Sequence, residues 1–146
     1  MNGDVEKEII DYMKKARFCT LATVGRRTGR PQAATIGFEN VGFDIYFATG
    51  GKTAKMRNIN SNPWVAIAIY HTDPTARAAM GIQYFGKAEI VSKKDFSQVP
   101  ERTLNTYNRI NNMDPEREEV IVRVKPDRIY CWNPSKGFGN IDKLEF

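Results

Sequence analysis

Read only for hydrophobic and polar positions, the chain opens with a helical period. Val5, Ile9, Tyr12, Met13 and Ala16 recur at spacings of three and four, which puts them on one face of a helix over residues 4–16. Asp4 offers a carboxylate to an orphan amide of its first turn. The period then shortens. Residues 18–24, 32–38 and 43–48 are short runs rich in strand formers. The first two flank a glycine-bearing turn at 25–29 and read as a hairpin. Pro31 belongs at a strand edge or start because it has no N–H to donate. Residues 39–42 read as the next turn. A short helix over 53–60 follows, with Ala54, Met56 and Ile59 as its packing residues. The strand at 64–70 is apolar on nearly both faces, so it needs two covers. The core is one, and a partner subunit is the candidate for the other.

Beyond a polar loop at 71–79, residues 80–91 read as a long strand in which Gly86 marks a bulge or bend. Ser92 and Asp95 match a capping box before a helical segment that Pro100 divides. Leu104, Tyr107 and Ile110 form the stripe of that helix, residues 108–115 its polar exit, and 116–119 an acidic, solvated stretch. Strands at 120–124 and 128–132 are joined by a Pro126-Asp127 turn. Residues 133–146, with two glycines and few regular signals, read as a loose or partner-wrapping C-terminal tail. Many short strands, two or three helices and glycine turns favour a small barrel over a parallel α/β fold. The expectation is one domain over residues 1–146, mainly β: a six- to seven-stranded split barrel with short flanking helices.

Composition narrows the function. No apolar run approaches the roughly 20 residues that cross a bilayer, and the N-terminus has no signal-type apolar segment. A cytoplasmic protein without membrane contact is the default. The net charge of +5 gathers at Arg26, Arg27, Arg30 and again at Lys52, Lys55, Arg57, which favours small anions or nucleic acid. No nucleic-acid motif accompanies the charge, so no nucleic-acid partner is expected. Cys19 and Cys131 are too far apart for a metal spacing and read as buried free thiols. His71, the single histidine, cannot anchor a multi-histidine metal site.

The chemistry concentrates in residues 44–70, DIYFATGGKTAKMRNINSNPWVAIAIY, read as strand, glycine turn, basic helix, turn and strand. Amides at a helix start, a hydroxyl and an ammonium gathered at Thr49, Gly50, Thr53 and Lys55 suit a phosphate. The same residues also fit a solvated turn with surface charges. A nucleoside-triphosphate loop is excluded, because Gly51-Lys52-Thr53 matches only its end and Tyr46 stands where its first glycine belongs. A dinucleotide fingerprint is missing as well.

Four segments in this order and spacing, FCTLATVGRRTGRPQAATIGF, the 44–70 stretch, GIQYFGKAEIV and VIVRVKPDRIYCWN, resemble the pyridoxamine 5'-phosphate oxidase-like family of FMN-binding split β-barrels. The resemblance covers roughly residues 8–132. It implies a homodimer with FMN at the subunit interface. It further implies that Thr49, Gly50, Thr53 and Lys55 hold the FMN phosphate, with Arg57 close by or paired with a surface carboxylate. Gln32, Ala33, Ala34, Thr35 and Ile36 would line the isoalloxazine, and Gln83 and Tyr84 would approach the cofactor of the partner. From residues alone, Ala33 and Ala34 equally suit barrel packing, Gln83 a solvated strand face, and Trp64 and Trp132 core or interface packing. Pyridoxamine phosphate oxidation itself is not the expected reaction. The chain is shorter than vitamin B6 oxidases, and its tail offers only Lys136 and Lys143 as basic residues. The leading expectation is an FMN-dependent oxidoreductase passing hydride or electrons between small-molecule donors and acceptors. The alternatives are a flavin-binding or electron-transfer protein without turnover and a deazaflavin-dependent reductase. No side chain stands out as a required acid or base; Tyr84 and Tyr107 are the proton-donor candidates.

Overall fold

The computed structural model describes residues 2–70 and 80–146. The polar loop read at 71–79, with His71, lies outside the described residues. Helix α1 (Asn2–Lys15) turns Ile9, Tyr12 and Met13 into the core, as the period predicts. The Tyr12 hydroxyl donates to the Met80 carbonyl and ties the helix to the far side of the sheet.

Strands β1 (Phe18–Val24), β2 (Pro31–Gly37), β3 (Glu39–Val41), β4 (Asp44–Gly50), β5 (Trp64–Ile69), β6 (Gly81–Ile90), β7 (Glu119–Trp132) and β8 (Ile141–Glu145) form one sheet. Helix α2 (Ala54–Ser61) joins β4 to β5, and α3 (Glu101–Met113) leads toward β7. The sheet runs β2-β1-β5-β6-β7-β4-β3, with β8 added on β7, and every pairing is antiparallel. It is a split, curled half-barrel with short flanking helices. β2 and β3 stand at opposite ends of the pairing order yet are separated in sequence by Phe38 alone, which is buried. The strands alternate: Cys19, Leu21, Val65, Ile67, Ile69, Ile82, Tyr84, Val122, Val124 and Ile129 fill the interior. A second, smaller cluster of Tyr46, Val91, Val99, Tyr107 and Ile121 lies under α3.

Several local readings change. Residues 39–42 are a short strand plus a turn at Gly42, whose φ of 59° suits glycine. The strands read at 120–124 and 128–132 are one strand. β6 pairs with β7 continuously from Val122 to Trp132, and Asp127 is the extra residue of a bulge opposite Phe85 and Gly86. Pro126 sits beside that bulge, where a strand tolerates a residue without an N–H. A Cβ at Gly86 would lie 2.3 Å from the Lys125 carbonyl oxygen, so the glycine is demanded by this close approach. Ser92 makes no capping bond to backbone; its hydroxyl donates to the Asp95 carboxylate, and residues 93–98 form a 3-10 turn before Pro100. α3 continues to Met113 through the stretch read as a polar exit. Within the tail, β8 pairs with the second half of β7. Lys136 bridges Glu8 at 3.0 Å and Asp142 at 2.9 Å, so the tail is clasped to α1.

Candidate functional site

Thr53 caps α2. Its hydroxyl oxygen accepts from the Met56 amide and the hydroxyl donates to the Gly50 carbonyl at 2.9 Å. The glycine turn before it is pressed against the segment entering β7. The Gly51 amide donates to the Glu118 carbonyl at 2.9 Å, and a Cβ there would lie 2.6 Å from that oxygen. A Cβ at Gly50 would lie 3.2 Å from the Arg117 guanidinium. The two glycines are therefore explained by close packing of the chain on itself. The Thr53 amide is used as well, donating to Gly50 at 3.3 Å. The cluster of open amides expected from the sequence is thus largely spent inside the protein.

What remains is a cationic cleft of about 140 Å³ between β1, β2 and the start of α2, with Leu21, Thr23, Gln32, Ala33, Ala34, Thr53, Ala54 and Lys55 around it. Lys55 is half-buried and has no hydrogen-bond or ion-pair partner among the described residues. Burial first, and the nearby Arg117 guanidinium second, hold its ammonium below the usual lysine range, with Glu119 opposing. Arg117 and Glu119 belong to the stretch read from sequence as acidic and solvated. Glu119 is in fact buried and accepts from Arg117 at 3.3 Å. Arg117 is the charged residue at this site that sequence reading missed, because nothing local links it to residues 50–55. The positional signal was indirect: Gly50-Gly51 implies a close neighbour without saying which.

Asn58, buried on α2, organises the cleft's far wall. Its amide nitrogen donates to the Thr23 hydroxyl at 3.0 Å and to the Gln32 side-chain carbonyl at 2.5 Å, while its oxygen accepts from the Arg26 amide at 3.0 Å. The β1–β2 hairpin is thereby fixed onto α2, which is how residues distant in sequence come to line one cleft.

The remaining predicted residues are dispersed. Thr49 is buried on β4, and Arg57 points back to donate to the Lys52 carbonyl at 2.5 Å. Because β2 alternates, Gln32, Ala34 and Ile36 share one face and Ala33 and Thr35 the other; Ile36 is in the core. Gln83 is exposed on the outer face, beside a shallow hollow of about 250 Å³ floored by Thr20, Ala22, Ala66 and Ala68. Tyr84, its neighbour, points inward. Its ring is fully buried and its hydroxyl donates to the Phe43 carbonyl at 2.7 Å, with the Val124 carbonyl at 3.0 Å. Burial, aided by the Asp44 carboxylate, pushes that phenol well up, and its proton is committed to backbone carbonyls inside the core. Tyr107, the other candidate, is buried under α3 against Phe96. Cys19 and Cys131 are buried free thiols, pushed up to about 12 and about 11 by burial. Trp64 and Trp132 are not core residues; each remains about half exposed, at 52% and 46%. Among the described residues, no helix is long and apolar enough to cross a membrane.

Comparison with known proteins agrees with this architecture. No curated protein matches the chain. Solved structures with the same fold include a heme binding protein from Mycobacterium smegmatis, at a TM-score of 0.77 and 17% identity, covering 96% of this chain and 57% of that one. The General Stress Protein 26 from Bacillus anthracis superposes with a TM-score of 0.67 at 22% identity over 97% of this chain and 98% of its own. A conserved hypothetical protein from Mycobacterium tuberculosis gives 0.72 at 25% identity over 94% and 90%. The sequence family described as pyridoxamine 5'-phosphate oxidase matches residues 5–133, nearly the whole sheet and the cleft beside α2, and the chain belongs to that family.

Proposed function

We propose that the chain is an FMN-binding oxidoreductase that works as a homodimer. The observation that carries this reading is Lys55: a half-buried ammonium without a carboxylate partner, lining a cleft whose other wall is an alanine pair. Desolvating a lysine without pairing it costs free energy, and an incoming phosphate would supply the missing charge. Arg117 stands nearby, ion-paired with the buried Glu119 carboxylate at 3.3 Å. The donor set therefore fits a phosphoryl group. Ala33 and Ala34 leave the β2 backbone open to close approach by a flat ring. Bound FMN would supply a two-electron redox centre. The protein's share is to anchor the phosphate at Lys55, lay the ring along β2 and exclude water. No acid or base of this chain needs to act.

The hollow around Ala22, Ala66 and Ala68, on the face of β5 that also carries the exposed Trp64, is the face we assign to a second copy. That would bring Gln83 to the partner's cleft. Anaerobic titration with FMN, FAD, a deazaflavin and haemin tests the reading, since one structural neighbour bears the name of a heme binding protein. FMN should bind tightest. Preference for the deazaflavin would replace the cofactor and keep the anion site; preference for haemin would overturn the reading. Bleaching of the bound flavin by a reduced nicotinamide separates an enzyme from a passive carrier.

A further inference from the structure

A second cleft, of about 270 Å³, opens where the sheet is split, between the β2–β3 junction and α3. Its floor is aromatic, from Phe38 and Phe47, and the exposed ring of Phe18 stands at its rim. Arg17 and Arg102 are among its lining residues. Arg17 has no side-chain partner among the described residues. Arg102 is held by the Glu39 carboxylate at 3.7 Å and donates to the Phe38 carbonyl at 3.5 Å, which leaves part of its donor fork open. Glu39 is largely engaged elsewhere, accepting from the Thr103 amide at 2.5 Å and hydroxyl at 2.6 Å. Arg17 is exposed and the Arg102 side chain about half exposed, so both charges stand at the solvent rim of the cleft. Gly37 keeps the space empty. It pairs with Phe18 across β1 and β2, and a Cβ there would find only ordinary contacts at 3.8 and 3.9 Å.

We propose that this cleft binds a small monoanion with a planar apolar body, an aromatic carboxylate in chemical class, with the carboxylate on Arg17 and Arg102 and the ring against Phe18 and Phe38. Paired guanidinium groups recognise a carboxylate, and aromatic walls bury its body.

Calorimetric titration of the whole protein without flavin, using benzoate and its neutral isostere benzamide, tests the site. Benzoate should bind at least about tenfold more tightly than benzamide. Arg17→Gln and Arg102→Gln should each erase most of that preference, and Gly37→Leu, at a position without backbone strain, should abolish binding of both while the thermal melt stays cooperative. Failure of benzoate to bind, or equal binding by all three variants, overturns the site.

Discussion

Lys55 is where the proposed function stands or falls at the scale of one residue. Lys55→Ala should weaken FMN by about 1.5–3 kcal/mol, roughly tenfold to more than a hundredfold, and leave riboflavin nearly unchanged, since the lost bond is to the phosphate. Equal losses for both ligands would place the lysine elsewhere. The same residue sets a pH dependence. Its pKa in the folded chain lies below the ordinary lysine value of 10.5, so between the two values the unfolded chain carries the extra proton. The stability of the flavin-free protein should therefore gain from this group as pH rises through that window. FMN binding runs the other way, because the phosphate needs the ammonium. Affinity should fall on raising the pH at values below those that deprotonate a free lysine, and a titration of Lys55→Ala should lack that step. Lys55 was legible in sequence from its place after a glycine turn and a capping threonine. Arg117, its neighbour in space, was not, because electrostatic proximity across the sheet leaves no local pattern. Tyr84 was placed beside the cofactor by the family resemblance of its strand; the structure turns its ring into the core while Gln83 faces out, as the period of two in a strand requires.

At the scale of elements, the joints decide more than the strands. Asn58→Ala should destabilise the fold by about 1–3 kcal/mol in denaturant titration, because it leaves Thr23 and the Arg26 amide without their buried partner. It should also loosen the hairpin from α2, so FMN affinity should drop with stability; a stable variant that keeps full affinity would remove Asn58 from the site's framework. Gly86→Ala should cost about 1–3 kcal/mol or more, since the Lys125 carbonyl blocks the new carbon. These joints also mark the limits of sequence reading. β1 and β5 were plain because each is a run of strand formers with alternating burial. β7 was cut in two because Pro126-Asp127 has turn chemistry, and only the long-range pairing with β6 carries the strand through it as a bulge. β8 was missed because Ile141–Glu145 has a single buried residue, Leu144, and owes its form to pairing with β7 and to the Lys136 clasp. The cleft walls on α2 and β2 were readable separately; that Asn58 bolts them together was not.

For the whole molecule, the outer face of β1, β5 and β6 is the consequential surface, with small residues at its centre and the exposed Trp64 on the same face of β5. A two-fold contact would bury that patch on both copies. Sedimentation across a dilution series should show a dimer whose dissociation constant falls when FMN is present. Ala68→Arg should give a folded monomer with weakened FMN binding; a monomer with full affinity would sink the interface. The one-residue link at Phe38 has a different kind of consequence, for the chain as it is made. Two hairpins, β1–β2 and β3–β4, are complete once the first 50 residues have emerged, but β1 waits for β5 and β4 waits for β7. At about 5–20 residues per second, the β4 edge stays unpaired for about 4–15 s of synthesis. The nascent chain therefore passes through a stage with open strand edges and a half-covered apolar face, the form most prone to pair with a neighbour on the same messenger. Ribosome-bound chains arrested between residues 50 and 119 should be where a trigger-type holding chaperone engages this protein, and release should follow the emergence of β7.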